Sequence, residues 1–212
     1  MGIKALSLIK YVFLIVCVFY FGCSQIKEGK KNNSFEQVDV SQIPKDTIFQ
    51  NNSKLSLQNG VYYIGSKPYS GFIKDVYETD SLKSIGSYFQ EKLHGLTKTF
   101  FTNGQLETKR NYRNGIGYGQ HLGYWKNGNK KFDFMYFNDK REGLQKQWYE
   151  SGSKYYELSF TDDQENGMQK AWRENGKPYI NYEVKDGVRY GLQKSALCYT
   201  LIDEKLKLNI VI

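Results

Sequence analysis

The sequence predicts an all-β protein, an elongated single-layer antiparallel array of β-hairpin repeats following an N-terminal signal helix. Three observations predict it. Glycines recur at 71, 95, 119, 143, 167 and 191, an unbroken period of 24 residues. Aromatic and turn-forming residues keep that period. No stretch after residue 54 carries the 3.6-residue spacing of an amphipathic helix. With 16% aromatic and 40% hydrophobic residues but only 3 Pro, the composition excludes collagen and wholesale disorder.

Residues 1–22 have the layout of a secretory signal peptide. Lys4 and Lys10 precede an uncharged apolar run over 11–22. As a helix that run rises about 18 Å, short of a hydrocarbon core of about 30 Å, so it reads as a cleaved export signal rather than a span. Gly22-Cys23-Ser24 follows at once and resembles a bacterial lipobox, which implies that Cys23 is lipidated and anchors the chain to a membrane. The expected location is the cell envelope, on the periplasmic side or the cell surface. Residues 23–53 are polar and aperiodic and read as the lipidated Cys and its tether.

Residues 54–70 form an entry unit, marked by Asn59-Gly60 and Lys67-Pro68-Tyr69, that caps the array. Five repeats span 71–190. With each repeat Gly as position 0, position 9 is Asp80, Gly104, Gly128, Gly152 and Gly176, and positions 19–20 are turn pairs such as Asn114-Gly115, Asn138-Asp139 and Asp186-Gly187. Each repeat is therefore strand, three-residue loop, strand, two-residue turn. With the three-residue loop, odd positions oppose odd ones. Positions 1, 5, 13, 15 and 17 then make an apolar face, and the even face is polar apart from the aromatics at position 6. Residues 191–212 are a partial repeat and a closing cap. One hairpin is marginal in water, so neighbours must share stability along the array.

The unit Gly143-Leu-Gln-Lys-Gln-Trp-Tyr-Glu-Ser-Gly152, repeated closely from Gly167 to Gly176, resembles the bacterial variant of the MORN repeat, found in YwqK-family toxin–antitoxin antitoxins. The resemblance covers about residues 60–194. It implies an antiparallel β array that binds partners, and it differs from eukaryotic MORN units in carrying His-Gly only at His94-Gly95.

Two columns are candidate binding surfaces. Position 3 supplies Lys74, Lys98, Lys146, Lys170 and Lys194, interrupted by Leu122, as a positive stripe for anionic lipid, glycan or acidic protein. Their stems equally suit packing over the rows beside them. Position 6 supplies Tyr77, Phe101, Trp125 and Tyr149 as a platform for sugar or peptide, or as packing between hairpins.

No catalytic residue is expected. The two His, His94 and His121, lie in a turn and a strand, and the acids sit mainly in turns. No metal or cofactor is expected, because no oxygen cluster, zinc-ligand spacing or phosphate loop is present. Nucleic acid is a poor partner for an exported chain despite its +8 charge. The function expected is a membrane-anchored, non-catalytic module for an envelope or protein partner. The alternatives are an immunity protein against a delivered toxin and, more remotely, an envelope glycan hydrolase.

Overall fold

The computed structural model describes residues 37–193. The expected signal helix, Cys23, Lys194 and the expected closing cap from residue 194 on lie outside the described residues. Every regular element described is a strand, and no helix occurs among the described residues. The N-terminal part contributes β1 (Thr47–Phe49), β2 (Leu55–Gln58), β3 (Val61–Ile64) and β4 (Lys67–Pro68). Repeats one and two give β5 (Gly71–Val76), β6 (Leu82–Phe89), β7 (Lys92–Phe100), β8 (Leu106–Arg113) and β9 (Ile116–Gly117). The third gives β10 (Gly119–Tyr124), β11 (Lys130–Phe137) and β12 (Lys140–Arg141). The last two give β13 (Gly143–Trp148), β14 (Lys154–Thr161), β15 (Gln164–Trp172), β16 (Pro178–Lys185) and β17 (Val188–Leu192).

Fourteen of these strands form one open sheet in chain order, antiparallel throughout except for the parallel pairing of β1 with β5. Strands β2, β3 and β4 form a separate three-stranded sheet. It meets the array where Tyr62 packs edge-on against Tyr88, with ring centroids 5.3 Å apart.

The turns follow the local chemistry of the sequence. In each repeat the N–H of position 9 donates to the carbonyl of position 6, and the N–H of position 6 donates to the carbonyl of position 10, as in Gly104 to Phe101 and Phe101 to Gln105. That is the three-residue loop with its left-handed closing residue, φ +81° at Gly104 and +60° at Asp80. Positions 19–20 form two-residue turns with both φ values positive, as at Asn114 (53°) and Gly115 (82°). The founding glycine column is left-handed too. Gly119, Gly143 and Gly167 hold φ between +70° and +85°, a region costly for any residue with a Cβ.

The assignment of faces by odd and even positions needs correction. A bulge falls between positions 4 and 5 of all five hairpins, for example between Asp75 and Val76, where Ser84 and Leu82 are the partners and Lys83 is left over. Beyond it the register moves by one residue, so position 2 opposes 15 and position 4 opposes 13. One face of the sheet therefore joins positions 2, 4 and 6 to 13, 15 and 17. Position 1 is on the other face, where Leu144, Met168 and Leu192 are 44%, 40% and 45% exposed. Position 6, expected as an exception on a polar face, belongs to the aromatic face.

The expected tether is also shorter than its composition implies. Residues 39–50 dock on the first repeats: Ile43 is buried, β1 takes the edge beside β5, and Tyr69 Oη donates to the Asp46 carbonyl. The His94 ring reaches Asp39 O through Nε2 at 2.8 Å and accepts from the Asn114 N–H at Nδ1. Three residues pairing in parallel leave no periodic trace in the sequence.

Candidate functional site

The aromatic face is a continuous layer of rings. From Tyr112 the contacts run to His121 (5.6 Å between centroids), then Tyr136 (4.8 Å) and Phe134 (6.5 Å). Phe134 stacks on Phe132 at 4.8 Å and lies nearly parallel to Tyr156 at 6.3 Å, and Tyr155 and Tyr149 extend the path. The layer exists because the bulge brings position 2 beside positions 15 and 17. Where two rings would collide the sequence places glycine: a Cβ on Gly123 would lie 2.1 Å from the Phe132 ring.

Beneath the rings runs a row of buried polar side chains at position 2. His121 Nε2 meets the Asn111 carbonyl at 2.8 Å. Gln145, 2% exposed, accepts from the Met135 N–H at 3.0 Å and donates to the Met135 and Glu142 carbonyls, each at 3.0 Å. Gln169, fully buried, donates to the Ser159 carbonyl at 2.7 Å. In each case the partner is position 16 of the strand before. Gln145 thereby pairs the Met135 N–H, while the Asn111 and Met135 carbonyls take these side chains as second donors beside the Tyr118 and Glu142 N–H groups. Burial pushes the His121 pKa below its ordinary value, which suits a neutral ring donating from Nε2.

In the third and fourth repeats the layer opens into a cleft of about 350 Å³. Gln145 and Phe160 are its most buried members, and Phe134, Tyr136, Tyr156 and Leu158 are half-buried around them. Arg141 stands over Phe160, 3.9 Å from the ring centroid, and its guanidinium is paired with Asp163. That pairing holds the Asp163 carboxyl below the usual range. Burial pushes the Tyr156 hydroxyl up to about 12, so it stays a donor at neutral pH. Chemically this is a mostly apolar recess whose Gln145 and Arg141 are bonded within the protein and which also presents the Tyr136 and Tyr156 hydroxyls.

The same face carries cations on rings. Arg110 lies 6.0 Å from Phe132, Lys131 4.4 Å from Trp125 and Arg173 5.9 Å from Tyr179. Among the described residues none of these three is in an ion pair, whereas Lys83, Arg141 and Arg189 are paired with Asp75, Asp163 and Glu165.

The predicted columns fall on opposite faces. The ladders set Lys74, Ile85, Lys98, Lys109, Leu122, Asp133, Lys146, Glu157 and Lys170 side by side on the face away from the aromatic layer. The lysines are half-buried, and none of the four described is in an ion pair. The row is basic only in its first half, since Asp133 and Glu157 alternate with Lys146 and Lys170. At position 6 the rings serve the next repeat. Tyr77 Oη, Trp125 Nε1 and Tyr149 Oη donate to the carbonyls of Phe100, Trp148 and Trp172 at 2.7, 3.1 and 3.0 Å. Phe101 occupies the equivalent place without a donor.

The cleft was not among the sequence candidates, because positions 13, 15 and 17 read as core and a single layer leaves core residues uncovered. The signal available was the clustering of Phe132, Phe134, Tyr136 and Tyr156 in consecutive repeats. No protein-family model matches the chain, and no curated protein matches it in sequence.

Proposed function

We propose that the protein is an exported lipoprotein, anchored through Cys23, whose MORN-like array is a non-catalytic interaction module in the bacterial envelope. The observation that carries the reading is the uncovered aromatic layer of a one-layer sheet. Such a face is apolar, half-exposed and held rigid from beneath by the position-2 side chains, as a docking surface requires. Supporting it, His121, Gln145 and Gln169 of that face are each hydrogen-bonded to nearby main chain and so are committed to holding the sheet. The Gly22-Cys23-Ser24 junction supports the anchor.

The test has two arms. Metabolic labelling with palmitate should mark the wild type and not Cys23→Ala; label that persists in the variant overturns the anchor. Crosslinking in intact cells followed by purification should recover a discrete partner whose yield falls with Leu158→Trp on the aromatic face. Equal recovery places the interaction elsewhere.

A further inference from the structure

We infer that the cleft between the third and fourth repeats receives one aromatic or branched apolar side chain from an acidic segment of a protein partner, with Arg110 beside the entry. This deepens the proposed interaction function and rests on it. The size and lining fix the anchor. A recess of about 350 Å³ walled by Phe134, Tyr136, Tyr156 and Leu158 is of a size to enclose a single side chain, and its Gln145 and Arg141 are already bonded within the protein. The Tyr136 and Tyr156 hydroxyls are the polar groups it offers to an occupant, beside a mostly apolar wall.

Charge complementarity fixes the rest of the segment. On this face the acids Asp75, Asp163 and Glu165 are each taken up by a neighbouring cation and Glu107 accepts from the Thr99 hydroxyl, while among the described residues Arg110, Lys131 and Arg173 are in no ion pair. Arg110 is held over Phe132, whose ring stacks on Phe134 of the cleft wall, and Lys131 lies over Trp125 of the same repeat as Phe132. A guanidinium stacked on a ring keeps its N–H edge available to a carboxylate. The spacing distinguishes a protein from a polysaccharide. A linear glycan needs the same chemistry in successive repeats, but position 15 reads Gly86, Arg110, Phe134, Leu158 and Tyr182. One apolar recess beside an unpaired cation is the pattern of a protein hot spot.

The test is selection of a random peptide library on the purified full-length chain, followed by affinity measurement of synthetic peptides from the enriched set. The expected peptides carry one Trp, Phe, Tyr, Leu or Ile next to Asp or Glu, and their affinity falls at least tenfold on Arg110→Glu and on Leu158→Trp, which fills the recess. Arg110 is exposed, so its variant keeps the test valid if the filled cleft perturbs folding; urea midpoints check both. Lys146→Glu with Lys170→Glu, on the opposite face, should leave affinity unchanged. Peptides lacking an anchor or rich in Lys and Arg overturn the inference, as does affinity indifferent to both aromatic-face variants or failure to enrich any peptide. Binding that instead disappears with the Lys146 and Lys170 changes overturns the cleft while leaving the interaction function standing.

Discussion

The hydroxyl of Tyr149 donates to the main-chain carbonyl of Trp172, 23 residues further along, at 3.0 Å. Trp125 makes the same reach to Trp148, and Tyr77 to Phe100. In three of the five hairpins one side chain thus fastens to the backbone of the next. In a sheet where each repeat touches only its neighbours, such clasps are part of the coupling on which folding depends.

Tyr149→Phe keeps the ring and removes only the donor. It should lower stability by about 0.5–1.5 kcal/mol, the usual worth of one such bond, read from the urea midpoint. The second repeat offers the converse. Phe101 is the one aromatic of the column without a donor, and Phe101→Tyr should raise the midpoint by about the same amount if its hydroxyl reaches the Tyr124 carbonyl. A neutral result for both would mean that water serves those carbonyls equally well.

Gly123 and Gly143 separate two reasons for glycine. At Gly123 the space is filled: a Cβ would sit 2.1 Å from Phe132, so Gly123→Ala must move the ring, at a cost of about 1–3 kcal/mol. Adding Phe132→Leu should return part of that loss. At Gly143 nothing lies within 4 Å but φ is +70°, so Gly143→Ala costs about 1–2 kcal/mol through the backbone alone, and no second-site change in packing relieves it. Thermal denaturation of the two single variants and the double variant distinguishes these cases.

The contrast shows which parts of the fold the sequence discloses. Positive φ is a local demand met by Gly, Asn and Asp, so the 24-residue period and both turns are legible in Asn114-Gly115 or Asn175-Gly176. The bulge at positions 4 and 5 is a property of pairing between two strands. Nothing in Asp75-Val76 or Gln147-Trp148 announces it, and missing it exchanges the faces of position 1 and position 6. The clasp of Tyr149 and the buried service of Gln145 depend on that register and were illegible for the same reason. The aromatic cleft was half legible, its rings visible as a column and its openness hidden.

Gln145→Ala tests the polar row. The side chain accepts from the Met135 N–H and is 2% exposed, so its removal leaves that N–H unpaired, while the Met135 carbonyl keeps the Glu142 N–H. A loss of about 2–3 kcal/mol is expected. Gln169→Ala should cost less, because the Gln169 carbonyl oxygen is without a partner and only its amide is engaged. Chemical denaturation should rank the pair in that order.

His121 gives the same row a pH dependence. Burial lowers its folded-state pKa below the ordinary value of about 6.5, and the nearby Arg110 pushes the same way, against the Asn111 carbonyl and Asp139. Between the two pKa values the unfolded chain binds the proton and the folded one does not, so stability rises with pH across that window. Stability should be fully present above about pH 6.5. It should then decline as the pH falls toward the folded-state value and level off below it. His121→Gln puts into the third repeat the residue that Gln145 and Gln169 supply in the next two. It can donate to the Asn111 carbonyl without titrating. Subtracting its urea stability profile from that of the wild type removes the contributions of His94 and the carboxylates. The remaining curve should slope downward on the acid side, and a flat difference would mean that the ring accepts the proton in place, with Nδ1 reaching solvent.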